Sequence, residues 1–270
     1  MPRATNLPKS EIVARYNGGE SIEALAAAYS RSGATMRENL HRWGAAIRRR
    51  GPTRQYALDE LFFSSIDTES KAYWLGFILA DGHVGQAGSG NWICRVDLGS
   101  CDRHHLEKLA AAIGTTVPVK SGHHGASAYL CLCSARLCLD LQALECSPNK
   151  TGRHGTPKIR ESLMRHFYRG YFDGDGSLFA SLKNDSWSFD VIGPTKFIVA
   201  FQQWLMHYVG VSKTALRGMR AGVDVSSVRY QGGRQVERVM RLLYDGATVY
   251  LERKFDRFRH LLARSVSCVV

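Results

Sequence analysis

The sequence predicts an α+β protein built from two copies of an αββαββα subdomain, preceded by a small all-α unit. Three observations carry this. Two nine-residue segments share one pattern: Trp74-Leu75-Gly76-Phe77-Ile78-Leu79-Ala80-Asp81-Gly82 and Tyr168-Arg169-Gly170-Tyr171-Phe172-Asp173-Gly174-Asp175-Gly176. Each is followed by a stretch of alternating apolar and polar residues, then a helical stripe, two further short strands and another helical stripe. Residues 10–43 carry three short apolar stripes at helical spacing.

The first stripe holds Ile12 and Tyr16, and Gly18-Gly19 ends it. Ser21 is an N-cap for a second helix, whose inner face is Ile22, Leu25, Ala26 and Tyr29. Ser30 to Gly33 forms a turn. Met36, Leu40 and Trp43 mark a third helix, whose outer face carries Thr35, Arg37, Glu38, Asn39, His41 and Arg42. Two helices joined by a tight turn, the second one basic, form a helix-turn-helix pattern that resembles resolvase- and transposase-type modules. It departs from them at Ser30, where a glycine is usual, and at Arg31, where an apolar residue is usual. Arg37, His41 and Arg42 are its candidate DNA contacts. An ordinary helical cap is the bland alternative.

Residues 1–46 thus form one expected domain and 47–66 a basic linker. The run Arg48-Arg49-Arg50-Gly51-Pro52-Thr53-Arg54 combines charge with Gly and Pro, which disfavours a regular element. Arg48, Arg49, Arg50 and Arg54 suit a phosphate- or minor-groove-contacting arm, or simply a solvated charge run.

The first repeat is expected at 67–152. After its motif helix, Trp92, Cys94, Val96 and Leu98 alternate with Arg95 and Asp97. A helix over Arg103–Ile113 follows, then strands near 115–120 and 127–133, then a helix over Ala135–Leu144. The second repeat, at 153–270, has the same plan. Trp187, Phe189 and Val191 alternate with Ser186, Ser188 and Asp190. A helix spans Thr195–Val209, strands lie near 213–220 and 224–230, and a helix covers Arg234–Leu243. Strands with one polar face suit an antiparallel sheet covered on one side by helices, leaving the other side for a ligand.

In each motif the small residues, Gly76/Ala80 and Gly170/Gly174, share a helix face and let two backbones approach closely. Two helices packed through those faces place Asp81 and Asp175 side by side at their ends. Paired carboxylates are what a divalent-metal site needs. An acid at a helix C-terminus opposes the helix dipole by roughly 0.3–1 kcal/mol, so finding it twice favours chemistry over a simple turn former.

At 270 residues the chain is long enough for two domains with a sizeable core. Its 36 Lys and Arg against 24 Asp and Glu leave a net charge of +12, which implies a polyanionic partner such as nucleic acid. No run reaches the ~18 apolar residues of a membrane span, and Met1 to Lys9 lacks a secretory core. The expected location is therefore cytoplasmic. The seven cysteines, an odd number with no signal peptide, suit a reducing compartment. Cys131-x-Cys133 sits in an alternating strand and reads as packing rather than as a zinc site. His104-His105 and His123-His124 have no ligand spacing, and His83, just after the first acid, reads as a polar strand residue or as a contact to DNA or a metal-bound water.

The two motif segments resemble the signature of the LAGLIDADG homing endonucleases, in the single-chain form with two copies. The resemblance runs from about Asp67 to the C-terminus. Leu79 departs from it, since many members carry an acid there, as the second copy does with Asp173. It implies a pseudo-twofold saddle of antiparallel sheets over a long, nearly palindromic duplex DNA site. It also implies metal-dependent cleavage of both strands by a monomer, with Mg²⁺ as the cofactor, two or more ions. Asp81 and Asp175 would be the metal acids, joined by the carbonyls of Ala80 and Gly174. Lys150 and Lys254, each beyond the second helix of its repeat, match a basic residue that some members place near the scissile phosphate. The polar strand faces supply Arg95, Lys120, Lys183, Arg217, Arg220 and Arg229 as DNA contacts, although a one-residue slip would reverse every side chain. A non-cleaving DNA-binding regulator and an RNA-binding intron maturase are the alternative readings.

Overall fold

The computed structural model describes residues 7–18, 20–47, 55–148, 154–180, 186–218, 222 and 224–267. The chain divides into two compact units, Met1–Gln55 and Tyr56–Val270.

The smaller unit holds α1 (Lys9–Asn17), α2 (Ile22–Ala28) and α3 (Gly33–Arg42). Ile12, Tyr16, Ile22, Leu25, Ala26, Met36 and Leu40 form its core. Ser21 Oγ accepts from the Ala24 amide at 3.0 Å, and Ser32 Oγ accepts from Thr35 at 3.1 Å, so both α2 and α3 start on a serine cap. Between them Ser30 adopts φ 51°, the left-handed conformation for which glycine is usual. The Arg31 amide then reaches back to Ala26 O at 2.8 Å, which closes α2. His41 and Arg42 are exposed on α3, with Arg37 half-buried. Arg42 pairs with Glu38 at 2.8 Å.

The larger unit follows the αββαββα plan twice. Its first repeat comprises α4 (Glu69–Asp81), β1 (Gly82–Gln86), β2 (Trp92–Gly99), α5 (Arg103–Ala112), β3 (Lys120–Gly122), β4 (Ser127–Cys133) and α6 (Ala135–Ala143). The second comprises α7 (Glu161–Asp175), β5 (Gly176–Ala180), β6 (Trp187–Pro194), α8 (Thr195–Val209), β7 (Arg217–Gly218), β8 (Val225–Gln231) and α9 (Gly233–Tyr244). Each repeat forms an antiparallel four-stranded sheet, ordered β1-β2-β4-β3 and β5-β6-β8-β7. This is the α+β architecture that the sequence predicts.

Alternation decides which sheet face is covered. Val84, Cys94 and Leu132 stand in one row of the first sheet, and Val96 and Leu130 in another, all buried. Leu178, Phe189 and Tyr230 form the matching row of the second. The opposite rows carry His83, Arg95 and Cys131, and Ser177, Asp190 and Arg229. One apolar core runs through both repeats.

Four features differ from the sequence expectation. The first is β3, which is shorter and later than 115–120. Pro118 has no amide to donate, and the backbone at 115–116 is already engaged by Ala57, with Thr116 N to Ala57 O at 3.2 Å. The second is β7, which shrinks to Arg217–Gly218 within the expected 213–220. The third lies just after Gln55: the stretch read as linker joins the larger unit, with Phe62 and Phe63 buried in its core. The fourth is an added helix, α10 (Glu252–Ser267), which follows the second repeat. Phe258 and Leu261 bury it against the core.

Candidate active site

The site is built by the crossing of α4 and α7. A Cβ placed on Gly76 would lie 2.0 Å from the carbonyl oxygen of Phe167, and one on Gly170 would lie 1.9 Å from that of Tyr73. Real contacts are never this short, so the backbones touch only because both residues are glycine. Further along, a Cβ on Gly174 would meet Ala80 Cβ at 2.4 Å and Asp81 Oδ2 at 3.2 Å. The Asp81 carboxylate therefore lies over the bare Cα of Gly174, next to Asp175 in the chain. Both acids end their helices, and both motif helices turn directly into the first strand of a sheet. Asp81 is exposed and Asp175 is half-buried.

These oxygens suit a hard divalent cation. The donors are carboxylates and helix-end carbonyls, and the Gly174 cradle is one that a side chain would fill. Among the described residues no group of three or more His, Cys, Asp and Glu could hold a metal. The remaining ligands would have to come from water or a bound phosphate. No disulfide links the described cysteines, and burial pushes the Cys138 thiol up to about 12.

Lys254 lies at the end of α7. The sequence reading sets it beside the scissile phosphate as a water-ordering cation. In the structure Lys254 is 2% exposed and its ammonium sits beneath the C-terminus of α7. It donates to the carbonyls of Asp173 and Gly176, each at 2.7 Å, and to that of Phe172, with Gly174 O at 3.4 Å. Asp173 and Gly174 lie in the last turn of α7, whose carbonyls a helix leaves without intrahelical amide partners, while Phe172 O also accepts from the Gly176 amide. Lys254 is thus a C-terminal cap, and burial lowers it to about 8 although Asp173, Asp81 and Asp175 all favour its charge.

A buried polar network that the sequence did not reveal lies alongside. Asp173 is fully buried and accepts from Tyr73 Oη at 2.7 Å, from the Leu251 amide at 2.8 Å and from Tyr244 Oη. Burial raises Asp173, and Lys254, Tyr244, Tyr73 and the Leu251 amide oppose that rise. Arg169, also fully buried, donates to Val249 O and Leu243 O at 2.9 Å each, and to Glu69 Oε1 at 2.7 Å. The segment from Leu243 to Lys254 is therefore held by α7 and, through Tyr73 and Glu69, by α4. It also reaches α5: Arg253 pairs with Asp102 at 2.8 Å, and Glu252 with His104 at 2.6 Å. The one sequence signal for this network was a charged pair inside an apolar motif, Arg169 and Asp173, where the first copy has Leu75 and Leu79.

On the uncovered sheet faces, Arg95 bonds Asp97 through Nε and Nη2 at 2.7 Å each and lies 4.0 Å from the centre of the Tyr129 ring. Arg229 bonds Asp190 at 2.6 Å and lies 5.6 Å from the Phe179 ring. Each sheet thus presents an arginine held over an aromatic ring by an acid. Lys120 and Arg217 are exposed at the outer strands β3 and β7. Lys150, Lys183, Arg220, Arg48, Arg49, Arg50 and Arg54 lie outside the described residues.

A duplicated αββαββα unit, joined through glycine-packed helices that each end in an acid, defines the two-repeat LAGLIDADG homing-endonuclease fold. No protein-family model and no curated protein matches the sequence. Solved structures do match. I-SmaMI bound to cleaved DNA superposes with a TM-score of 0.50 at 13% identity, over 75% of this chain and 91% of that one. I-AabMI bound to uncleaved DNA gives a TM-score of 0.50 at 13% identity, again over 75% and 91%. At this identity the likeness establishes the architecture.

Proposed function

We propose that the chain is a site-specific DNA endonuclease that breaks both strands of a long duplex target with divalent cations, Mg²⁺ in the first instance. One observation carries the reading: Asp81 and Asp175 end two helices whose backbones touch, in a fold whose solved examples I-SmaMI and I-AabMI are bound to DNA. In this reading Asp81 and Asp175, with the carbonyls of Ala80 and Gly174, hold the metal. A bound divalent cation would supply an acidified water and stabilise charge on the leaving oxygen. The chain's own part is to present those oxygens in a fixed array. Lys254 contributes by tying down the end of α7.

The uncovered sheet faces would follow the duplex. Arg95 and Arg229, already held by acids and rings, are set for base edges, and Asp97 and Asp190 can accept from cytosine N4. Lys120 and Arg217 would neutralise phosphates, and residues 1–46 would read adjacent sequence as a helix-turn-helix. Of the two metal oxygens from the backbone, Gly174 O is also the most distant acceptor of Lys254, so it retains lone-pair capacity.

The test is a cleavage selection. The full chain is incubated with Mg²⁺ and a randomised duplex library, and cut ends are recovered. Enrichment of one target cut in both strands supports the reading. Tight binding to a selected duplex without cutting would convert it to a DNA-binding regulator, and preference for structured RNA to a maturase.

A further inference from the structure

α10 belongs to neither repeat, yet it runs along one of their sheets. β5 is an outer strand, at the end of the order β5-β6-β8-β7. Lys254 donates to Gly176 O at 2.7 Å and, three residues on, Arg257 Nη1 donates to Leu178 O at 2.8 Å. The helix therefore follows the edge of β5 away from Asp175 and engages carbonyls that a bare edge leaves unpaired. A groove of about 430 Å³ opens between them, lined by Leu178, Phe179, Ala180, Trp187, Arg257 and His260. Phe179 belongs to the uncovered sheet face, in one row with Ser188 and Gln231, and its ring is the one over which Arg229 lies. The uncovered face thus continues from Arg229 across Phe179 to two groups of α10.

Charge sets those two groups apart. Arg253, Arg257 and His260, at i, i+4 and i+7, share one flank of α10. Arg253 is engaged by Asp102, and Arg259, on the opposite flank, lies 3.7 Å from Asp256. Among the described residues neither Arg257 nor His260 pairs with an acid, and both are exposed. Arg257 uses one of its five donors on Leu178 O, which leaves the others for a second acceptor, and the His260 ring offers an N–H in either tautomer. The first sheet is built differently. Among the described residues no helix comes between α6 and α7, and beside β1 stands Pro148, 3.5 Å from where a Cβ on Gly85 would lie.

We infer that Arg257 and His260 form a phosphate-binding edge, which extends the DNA surface past β5 on the second repeat alone. The inference rests on the nuclease reading. The occupant is the sugar–phosphate backbone of duplex DNA. The donors are unmatched by acid, and they continue a face whose own arginine is already held over the shared Phe179 ring. Contacts of this kind position a duplex without reading its sequence. One half of the target is therefore gripped on phosphates that have no counterpart in the other half.

The experiment measures binding of the full chain to its selected duplex without Mg²⁺, so that nothing is cut. Gel shifts at several salt concentrations give the salt slope, and phosphate-ethylation interference gives the phosphates in contact. The double variant Arg257→Gln/His260→Gln should weaken binding by roughly tenfold and lower the slope by about 1–2, close to one unit per lost phosphate. Interference should disappear at phosphates of one half-site only. His260→Gln alone breaks no contact within the described protein and should lower the slope by about 1. Arg259→Gln removes a charge from the opposite flank and should leave the interference pattern as in the wild type. The same loss of interference from Arg259→Gln overturns the inference and leaves the nuclease reading intact. So does an unaltered slope and pattern in the double variant. A wild type that binds no duplex removes both.

Discussion

Gly170 faces the carbonyl oxygen of Tyr73 so closely that a Cβ there would lie 1.9 Å away. The contact is reciprocal, since Gly76 meets Phe167 O in the same way. An added methyl therefore meets rigid backbone rather than a side chain that could turn aside. Gly76→Ala and Gly170→Ala should each destabilise the larger unit by about 1–3 kcal/mol or more, as overpacking does. Urea unfolding checks this, and an unchanged midpoint in both variants would mean that the helices do not meet here.

Asp81→Asn and Asp175→Asn should each abolish double-strand cleavage while leaving DNA affinity within a few-fold. Asparagine keeps the shape but loses the charge that a divalent cation requires. Paired gel-shift and cleavage assays in Mg²⁺ test it, and either variant cutting at the wild-type rate would remove that acid from the site.

Asp173→Leu installs the residue that the first copy has at position 79. It would strand the hydroxyls of Tyr73 and Tyr244, the Leu251 amide and the charge of Lys254 inside the protein. Breaking a buried charged network from one side typically costs about 3–5 kcal/mol. Adding Lys254→Met should recover part of that loss. A single variant as stable as the wild type would show that the network contributes nothing net.

His105 is buried, and desolvation holds its imidazole down at about 3, against 6.5 for the free side chain. Tyr73 Oη donates to Asp173, so His105 Nε2 donates to Tyr73, and Nδ1 is left without a partner. A base whose folded pKa is depressed is protonated first in the unfolded chain. Its effect is thus absent above pH 6.5, and stability falls as pH drops from 6.5 toward 3, by up to ~1.4 kcal/mol per pH unit. His166, lowered to about 4 by burial and by Arg169, adds to the same slope. His105→Gln should flatten it measurably in thermal melts between pH 7 and 4, and an unaltered slope would locate the acid sensitivity elsewhere.

Deleting residues 1–55 should leave a folded unit that still cuts, because the larger unit has its own core. The footprint should shorten and the salt dependence should flatten as phosphate contacts are lost. Footprinting at several salt concentrations decides it, and identical footprints and slopes would mean that the three-helix unit does not touch DNA.

Much of this fold is legible in the sequence because it rests on period and on glycine. The alternation at Trp92–Leu98 sets β2, and the stripe of Thr195–Val209 sets α8 to the residue. The small-residue faces that put Asp81 and Asp175 together are readable for the same reason. What stayed hidden depends on contacts between distant positions. The burial of Lys254, in the first turn of α10, follows from its docking under α7, which no periodic signal announces. The apolar spacing of Phe255, Phe258 and Leu261 was present, but two complete repeats left no place to expect another helix.

The C-terminal segment gives the larger unit a particular order of assembly. Glu69, at the start of α4, accepts from the amide of Thr248, and α7 is capped by Lys254. The first motif helix leaves the ribosome long before either partner exists. Its acid can be set beside the second only after α7 has been made, about 94 residues later, and the Glu69–Thr248 contact closes a still longer loop. A growing chain that already carries its first repeat and its basic N-terminal arm can therefore meet nucleic acid well before the pair of acids is in place.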